Sequence, residues 1–250
     1  MSLKKNISNL NGKNVIVTGS SGLIGSAVVQ ELKNIGANPI CLDIHPGEEP
    51  DVFTCDLSDE KSIEETINYI KKDFQSINGI VNAHQYKPKY FLNQEIENFS
   101  SNNFLEILKT NLIGTLLVCD LVVQNFECEG LSIVNFGSTY GRVSSNPKLY
   151  ENNSLWNPVY YSVSKSGINM MTKWLAVHWA SKKIRINTII PHGVENNHDE
   201  KFIESFKNLS PLNRMSSVEE VVGPVIFLLS DSSTYMTGSE LVVDGGWSAW

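Results

Sequence analysis

The feature that most constrains this chain is a short apolar run, Val15-Ile16-Val17, that passes through Thr18 into a glycine-rich turn and then into a helical pattern. The turn carries Gly19, Gly22 and Gly25, with Ser21, Leu23 and Ile24 between them. Glycine accepts positive φ and lets the backbone approach another group closely. A helix that opens from such a turn aims unsatisfied N–H groups and the positive end of its dipole into it. A strand, a glycine turn and a helix in that order suit the pyrophosphate of a dinucleotide. Gly19, Ser21, Gly22, Leu23 and Ile24 are therefore candidate cofactor contacts. The helix is expected to run to about Ile35 and to stop at Gly36.

The same alternation continues along the chain. Strands are expected at Pro39 to Ile44, Val52 to Thr54, Ile77 to Val81, Leu131 to Phe136, Ile184 to Ile190 and Leu241 to Val243. Helices are expected over Ile63 to Phe74, where Ile63, Ile67, Ile70 and Phe74 repeat at helical spacing, and over Phe104 to Phe126, Pro158 to Ala180 and Val218 to Leu229. Short apolar strands alternating with helices give right-handed crossovers and a parallel sheet covered on both faces. The expected fold is α/β: a Rossmann-type doubly wound parallel sheet of about seven strands, built as one domain over residues 1–250. The Ser- and Asn-rich stretch Gly141 to Asn157 reads as a long surface loop, and long loops in compact domains are often functional.

Composition narrows the class. A chain of 250 residues with 41% apolar and 19% charged content buries a sizeable core. A net charge of -7 argues against a nucleic-acid binder. No run approaches the ~20 apolar residues of a membrane span. The polar N-terminus, with Lys4, Lys5 and Lys13, has no signal-peptide core, so the expected location is cytoplasmic. Cys41, Cys55, Cys119 and Cys128 lack metal-ligand spacing and read as buried free thiols, and no metal site is expected. His84 has no matching cluster of ligands around it and is not read as a metal ligand or general base.

Further chemistry lies at the strand ends. Asp43 follows Gly25 by 18 residues, where a carboxylate accepts hydrogen bonds from ribose hydroxyls and repels a 2′-phosphate, favouring NAD over NADP. Asp56 and Leu57 follow the third strand, where a carboxylate suits the adenine amino group. Asn82 and Ala83 follow the fourth. Tyr161 and Lys165 are four apart on a helix and share a face. A neighbouring ammonium is expected to lower the phenol pKa, making Tyr161 a proton donor or acceptor near neutral pH. Tyr160 faces roughly 100° away and reads as structural. Trp174, Trp179, Met170 and Met171 read as core or interface packing.

These motifs, with Asn111, Ser138, the stretch Pro191-His192-Gly193-Val194 and the ending Asp244-Gly245-Gly246, resemble the short-chain dehydrogenase/reductase family over nearly the whole chain. The length and the ending resemble its compact branch, although the spacing of Gly19, Gly22 and Gly25 is that of the extended branch. The resemblance implies hydride transfer between NAD and a secondary alcohol or carbonyl. Tyr161 would be the acid/base, Ser138 a partner of the substrate oxygen, and Lys165 a grip on the nicotinamide ribose. Asn111 would help hold a water linking Lys165 to solvent, and Pro191, Gly193 and Val194 would flank the cofactor. It also implies a homodimer or homotetramer through the two long helices.

Three departures stand out. His192 takes the place of the family's glycine after Pro191, and Asn196 stands where a threonine often contacts the nicotinamide. Ser138 and Tyr161 are 23 apart, wider than the family's usual spacing. The extra residues resemble an insert in oxidoreductases of flagellin modification and nonulosonic-acid pathways. A polar pocket with Arg142, Lys148, His192 and His198 near it suits a sugar or sugar-acid substrate of surface-glycan biosynthesis. The alternatives are a 3-oxoacyl-type ketoreductase and a catalytically silent NAD-binding sensor.

Overall fold

A computed structural model of the chain describes residues 9–45, 52–86, 100–151 and 157–250. The order is β1 (Asn14–Thr18), α1 (Leu23–Asn34), β2 (Asn38–Asp43), β3 (Val52–Thr54), α2 (Glu60–Asp73), β4 (Gly79–Asn82), α3 (Ser101–Leu108), α4 (Thr115–Asn125) and β5 (Ser132–Phe136). It continues with α5 (Val159–Trp179), β6 (Arg185–Pro191), α6 (Glu200–Leu209), α7 (Glu219–Leu229) and β7 (Glu240–Val243). The seven strands form one sheet in the order β3-β2-β1-β4-β5-β6-β7, and every neighbouring pair is parallel. The order reverses between β1 and β4, and ligands of such sheets bind beyond the carboxyl ends at that crevice. The expected doubly wound fold is the one observed.

Successive residues of a strand point to opposite faces. In β1, Ile16 joins one core with Ile80, Ile133 and Ile186, closed by Ile63, Ile67 and Ile70 of α2, Val118 and Val122 of α4, and Leu175 and Trp179 of α5. Val15 and Val17 join the other with Val81, Val134 and Ile189, closed by Val28 and Leu32 of α1 and Val221, Val225 and Leu228 of α7. Helices on both faces explain why the strands are continuous apolar runs. Each fully buried aliphatic side chain contributes roughly 1.5–3 kcal/mol.

Three features differ from expectation. The helix expected over 104–126 starts at Ser101, with the Ser100 hydroxyl accepting from the Asn103 N–H at 3.3 Å. It is interrupted by a π-helical turn, Lys109–Gly114, which contains Asn111. One extra residue in a turn leaves the hydrophobic period almost unchanged, so the pattern does not reveal it. Helix α6 was not expected; Asp199 caps it by accepting from the Phe202 N–H at 2.8 Å, and Phe202 and Phe206 anchor it one turn apart. They join Leu149, Met215 and Trp247 in a third apolar cluster. The loop 141–157 holds a 3-10 turn at Pro147–Leu149, while its residues 152–156, including Leu155 and Trp156, lie outside the described residues.

Candidate active site

A groove of about 910 Å³ lies at the carboxyl ends of β1, β2, β3 and β4. Gly19, Ser21, Gly22, Leu23, Ile24, Asp43, Asp56, Leu57, Ala83 and Val194, all candidate cofactor contacts, line it. The glycines are sterically required. Gly19 sits at φ +66°, and a Cβ there would meet the His84 Cα at 2.6 Å. A Cβ on Gly25 would meet the Gly19 carbonyl oxygen at 2.0 Å. No side chain caps the N-terminus of α1, so its first N–H groups keep no side-chain acceptor. Asp43 accepts from the Ser21 N–H at 3.0 Å and from the His45 N–H at 3.0 Å, which fixes its carboxylate at the rim. Asp56 accepts from the Ser58 N–H at 2.8 Å. A glycine cradle, an uncapped helix start and a fixed carboxylate at the end of β2 fit a dinucleotide.

Asn82 does not form part of the groove wall. Its side chain donates to Asn135 Oδ1 at 2.8 Å, and Asn135 in turn donates to the Thr172 hydroxyl at 2.9 Å. This network ties β4 to β5 and α5. Pro191 and Gly193 also lie outside the wall, and the next residue, Val194, contributes instead.

His84 is the site residue that the sequence reading undervalued. It is half-buried in the wall of the groove, and its hydrogen bonds fix its tautomer. The Thr115 hydroxyl donates to the Asn111 carbonyl at 2.7 Å. Thr115 Oγ1 and the Thr110 carbonyl, each 3.2 Å from His84 Nε2, are then both acceptors, so Nε2 carries the hydrogen. Nδ1, 2.7 Å from the Thr18 hydroxyl, accepts. Burial, with the Lys165 charge adding to it, pushes the His84 pKa down to about 4, so the ring is neutral at physiological pH. His84 thus pins the end of β1 to the π-turn that presents Asn111. The clue in the sequence was the side chain following Asn82 and Ala83, together with Thr115 four residues after Asn111. Among the described residues there is no cluster of groups that could hold a metal.

Asn111, Ser138, Tyr161 and Lys165 are brought together as expected. Asn111 is buried; its Oδ1 accepts from the Tyr86 N–H at 2.8 Å, and its Nδ2 lies 3.5 Å from the Ser164 hydroxyl. Ser138 hydrogen-bonds the Tyr161 phenol, and its Oγ also accepts from the Tyr140 N–H at 3.2 Å. Lys165 is 3% exposed, and its Nζ donates to the Phe136 carbonyl at the end of β5 at 2.8 Å. That nitrogen is 5.9 Å from the Tyr161 ring centre.

The expected lowering of the Tyr161 pKa by Lys165 is not what the structure gives. Burial pushes the phenol up from its ordinary value, and the hydrogen bond from Ser138 offsets only part of that rise. Desolvation penalises phenolate, while the ammonium is committed to a carbonyl.

Two residues offered as substrate contacts are engaged elsewhere. Arg142 pairs with Glu240 at 3.0 Å, and Lys173 pairs with the same carboxylate at 2.6 Å. His192 is buried in an aromatic nest, with ring centres 4.3 Å from Trp247, 5.0 Å from Tyr140 and 5.2 Å from Phe206. His198 does line the groove, with its ring stacked on Phe202 at 4.9 Å. Lys148 lies exposed on the loop.

Tyr160 is buried beside Ile107, consistent with a structural role. Cys41, Cys55 and Cys119 are buried and Cys128 is half-buried, and none of the four is in a disulfide.

A sequence profile described as "Enoyl-(Acyl carrier protein) reductase" matches residues 19–248. The chain belongs to the short-chain dehydrogenase/reductase family. Within it, the chain is 28% identical over 274 residues to an NADH-dependent L-xylulose reductase of Ambrosiozyma monospora, covering 96% of each. It is 28% identical to post-translational flagellin modification protein A of Campylobacter coli, covering 95% of this chain and 99% of that protein. A short-chain dehydrogenase of Leptospira borgpetersenii, crystallised with NAD+, superposes with a TM-score of 0.86 at 30% identity, covering 99% and 97% of the two chains. The protein is an oxidoreductase of this family, and among its described residues no helix is long and apolar enough to cross a membrane.

Proposed function

We propose that this oxidoreductase uses NAD to interconvert a secondary alcohol and a carbonyl on a polyol or sugar, with Tyr161 exchanging the proton. The observation that carries this reading is the Ser138–Tyr161 hydrogen bond with Lys165 one turn along α5, at the sheet edge that holds the dinucleotide groove. Bound in the groove, NAD would supply the hydride acceptor. The glycine turn and the start of α1 would hold its pyrophosphate, and Asp43 its adenosine ribose hydroxyls. Asp43 accepts two N–H bonds at the rim, a place where a 2′-phosphate would meet a carboxylate, which supports NAD over NADP.

In the oxidising direction the Tyr161 phenolate would take the hydroxyl proton as the hydride leaves the carbinol carbon, and Ser138 would donate to the substrate oxygen as charge changes there. In reduction the raised pKa keeps Tyr161 protonated at neutral pH, ready to donate. Lys165, held by Phe136, stands near the phenol ring, and Asn111 is locked by Tyr86 and His84's π-turn. The relatives that reduce L-xylulose or modify flagellin support a hydroxylated substrate. The exposed Leu105, Met170, Trp174 and Val177 on α3 and α5 support association of copies through these helices.

The test is NADH formation by the purified protein across pentitols, tetritols, sugar acids and aliphatic secondary alcohols. Turnover of the hydroxylated substrates is expected. Tight NAD binding without reduction by any of them would overturn the reading in favour of an NAD sensor.

A further inference from the structure

Beside Tyr161 stand two more phenols that the mechanism above does not use. The Tyr150 hydroxyl donates to the Tyr140 hydroxyl at 3.0 Å. Both are close enough to Tyr161 that its charge would raise the cost of ionising either of them. Burial already holds both phenols protonated, Tyr140 being pushed up to about 12. A phenol has one hydrogen to donate. Tyr150 spends its hydrogen on Tyr140; the Tyr140 oxygen accepts it, and among the described residues no acceptor meets the Tyr140 O–H.

The pair is held rigidly. Tyr140 is 7% exposed, its ring edge packs on His192, and its N–H bonds Ser138. The next residue, Gly141, lies so close to α5 that a Cβ would meet the Lys165 carbonyl carbon at 2.8 Å, and its carbonyl accepts from the Ser166 hydroxyl at 2.9 Å. Tyr150 follows Leu149, which is 1% exposed in the cluster with Phe202, Phe206 and Trp247. The two hydroxyls are thus ordered by an aromatic wall, and the backbone of Tyr140 is bonded to the Ser138 side chain that also meets the Tyr161 phenol.

We propose that Tyr140, oriented by Tyr150, binds a hydroxyl on the carbon next to the reacting carbinol, so that the site selects vicinal polyols over simple secondary alcohols. This inference rests on the dehydrogenase reading above. A site built to bond a substrate hydroxyl rejects an analogue lacking it far more strongly than an apolar pocket rejects a missing methylene. Phenylalanine keeps the aromatic packing and removes only the oxygen.

The experiment compares kcat/KM for a tetritol or pentitol with that for cyclohexanol, in wild type, Tyr140→Phe, Tyr150→Phe and Tyr161→Phe. Tyr140→Phe is expected to lower the polyol value roughly 10- to 100-fold and the cyclohexanol value less than about threefold, with the KM for NAD unchanged. Tyr150→Phe should move the same ratio in the same direction by a smaller factor. Equal losses on both substrates, or no loss on the polyol, would overturn the inference. A wild type that oxidises cyclohexanol but no polyol would overturn it while leaving the dehydrogenase reading standing. Absence of NAD reduction with either alcohol overturns the underlying reading and the inference with it.

Discussion

Two histidines held neutral by the fold make a quantitative prediction about acid stability. Histidine titrates ordinarily near 6.5, and in this fold burial lowers both His84 and His192 to about 4. At His84 the Lys165 charge adds to burial, whereas Asp244 works against it at His192. The folded pKa lies below the unfolded one, so the unfolded chain binds more protons between those values. The stabilisation is fully present above about pH 6.5 and is lost as pH falls towards 4. Linkage with those two pKa values gives a loss of about 2 kcal/mol per histidine between pH 7 and pH 5, so ~4 kcal/mol for the pair.

His192 permits a clean subtraction. Its ring lies among Tyr140, Phe206 and Trp247, and its Nε2 is buried without a partner among the described residues. A phenyl ring fits that environment and takes up no proton. His192→Phe is therefore expected to halve the acid loss, to ~2 kcal/mol over the same interval. Urea unfolding at half-unit steps from pH 5 to 7.5 measures it, in wild type and variant. A variant whose stability falls with pH as steeply as wild type would refute the assignment of a buried neutral imidazole.

Other expectations follow from the same geometry. His84→Ala removes a ring that bonds Thr18, Thr110 and Thr115, and should lower stability by roughly 2–4 kcal/mol; an unchanged urea midpoint would count against the pin. Asp43→Ala should reduce the ratio of kcat/KM for NAD to that for NADP by about tenfold or more, because on the proposed reading the carboxylate would bind ribose hydroxyls and repel a 2′-phosphate. A raised Tyr161 pKa makes phenolate scarce at neutral pH, so alcohol oxidation should climb steadily into the alkaline range, while carbonyl reduction stays level below that pKa. A bell centred near pH 7 in the oxidising direction would contradict it.

Much of this was legible in the sequence because it depends on local chemistry. Continuous apolar strands such as Val15-Ile16-Val17 signal a sheet buried on both faces, and the glycine turn declares a close backbone approach that the Gly19 and Gly25 contacts bear out. The gathering of Ser138, Tyr161 and Lys165 was legible as ordered motifs. What escaped depends on contacts between distant residues. Tyr161's pKa was read from one neighbour, Lys165, and burial outweighed it. His192 and Arg142 looked like polar pocket residues until packing placed one among aromatics and the other on Glu240. Asn82 looked like a ligand contact, but Asn135 lies directly across from it in register. The π-turn at Asn111 and the phenol pair leave no periodic trace.

The central claim is that Tyr161 moves the proton that accompanies hydride transfer. The direct measurement is steady-state oxidation of the best polyol by Tyr161→Phe, beside NAD binding by the same protein. The expected result is a rate at least ~100-fold below wild type with the Kd for NAD within about twofold. Activity above a few per cent of wild type, with normal NAD binding, would contradict the claim.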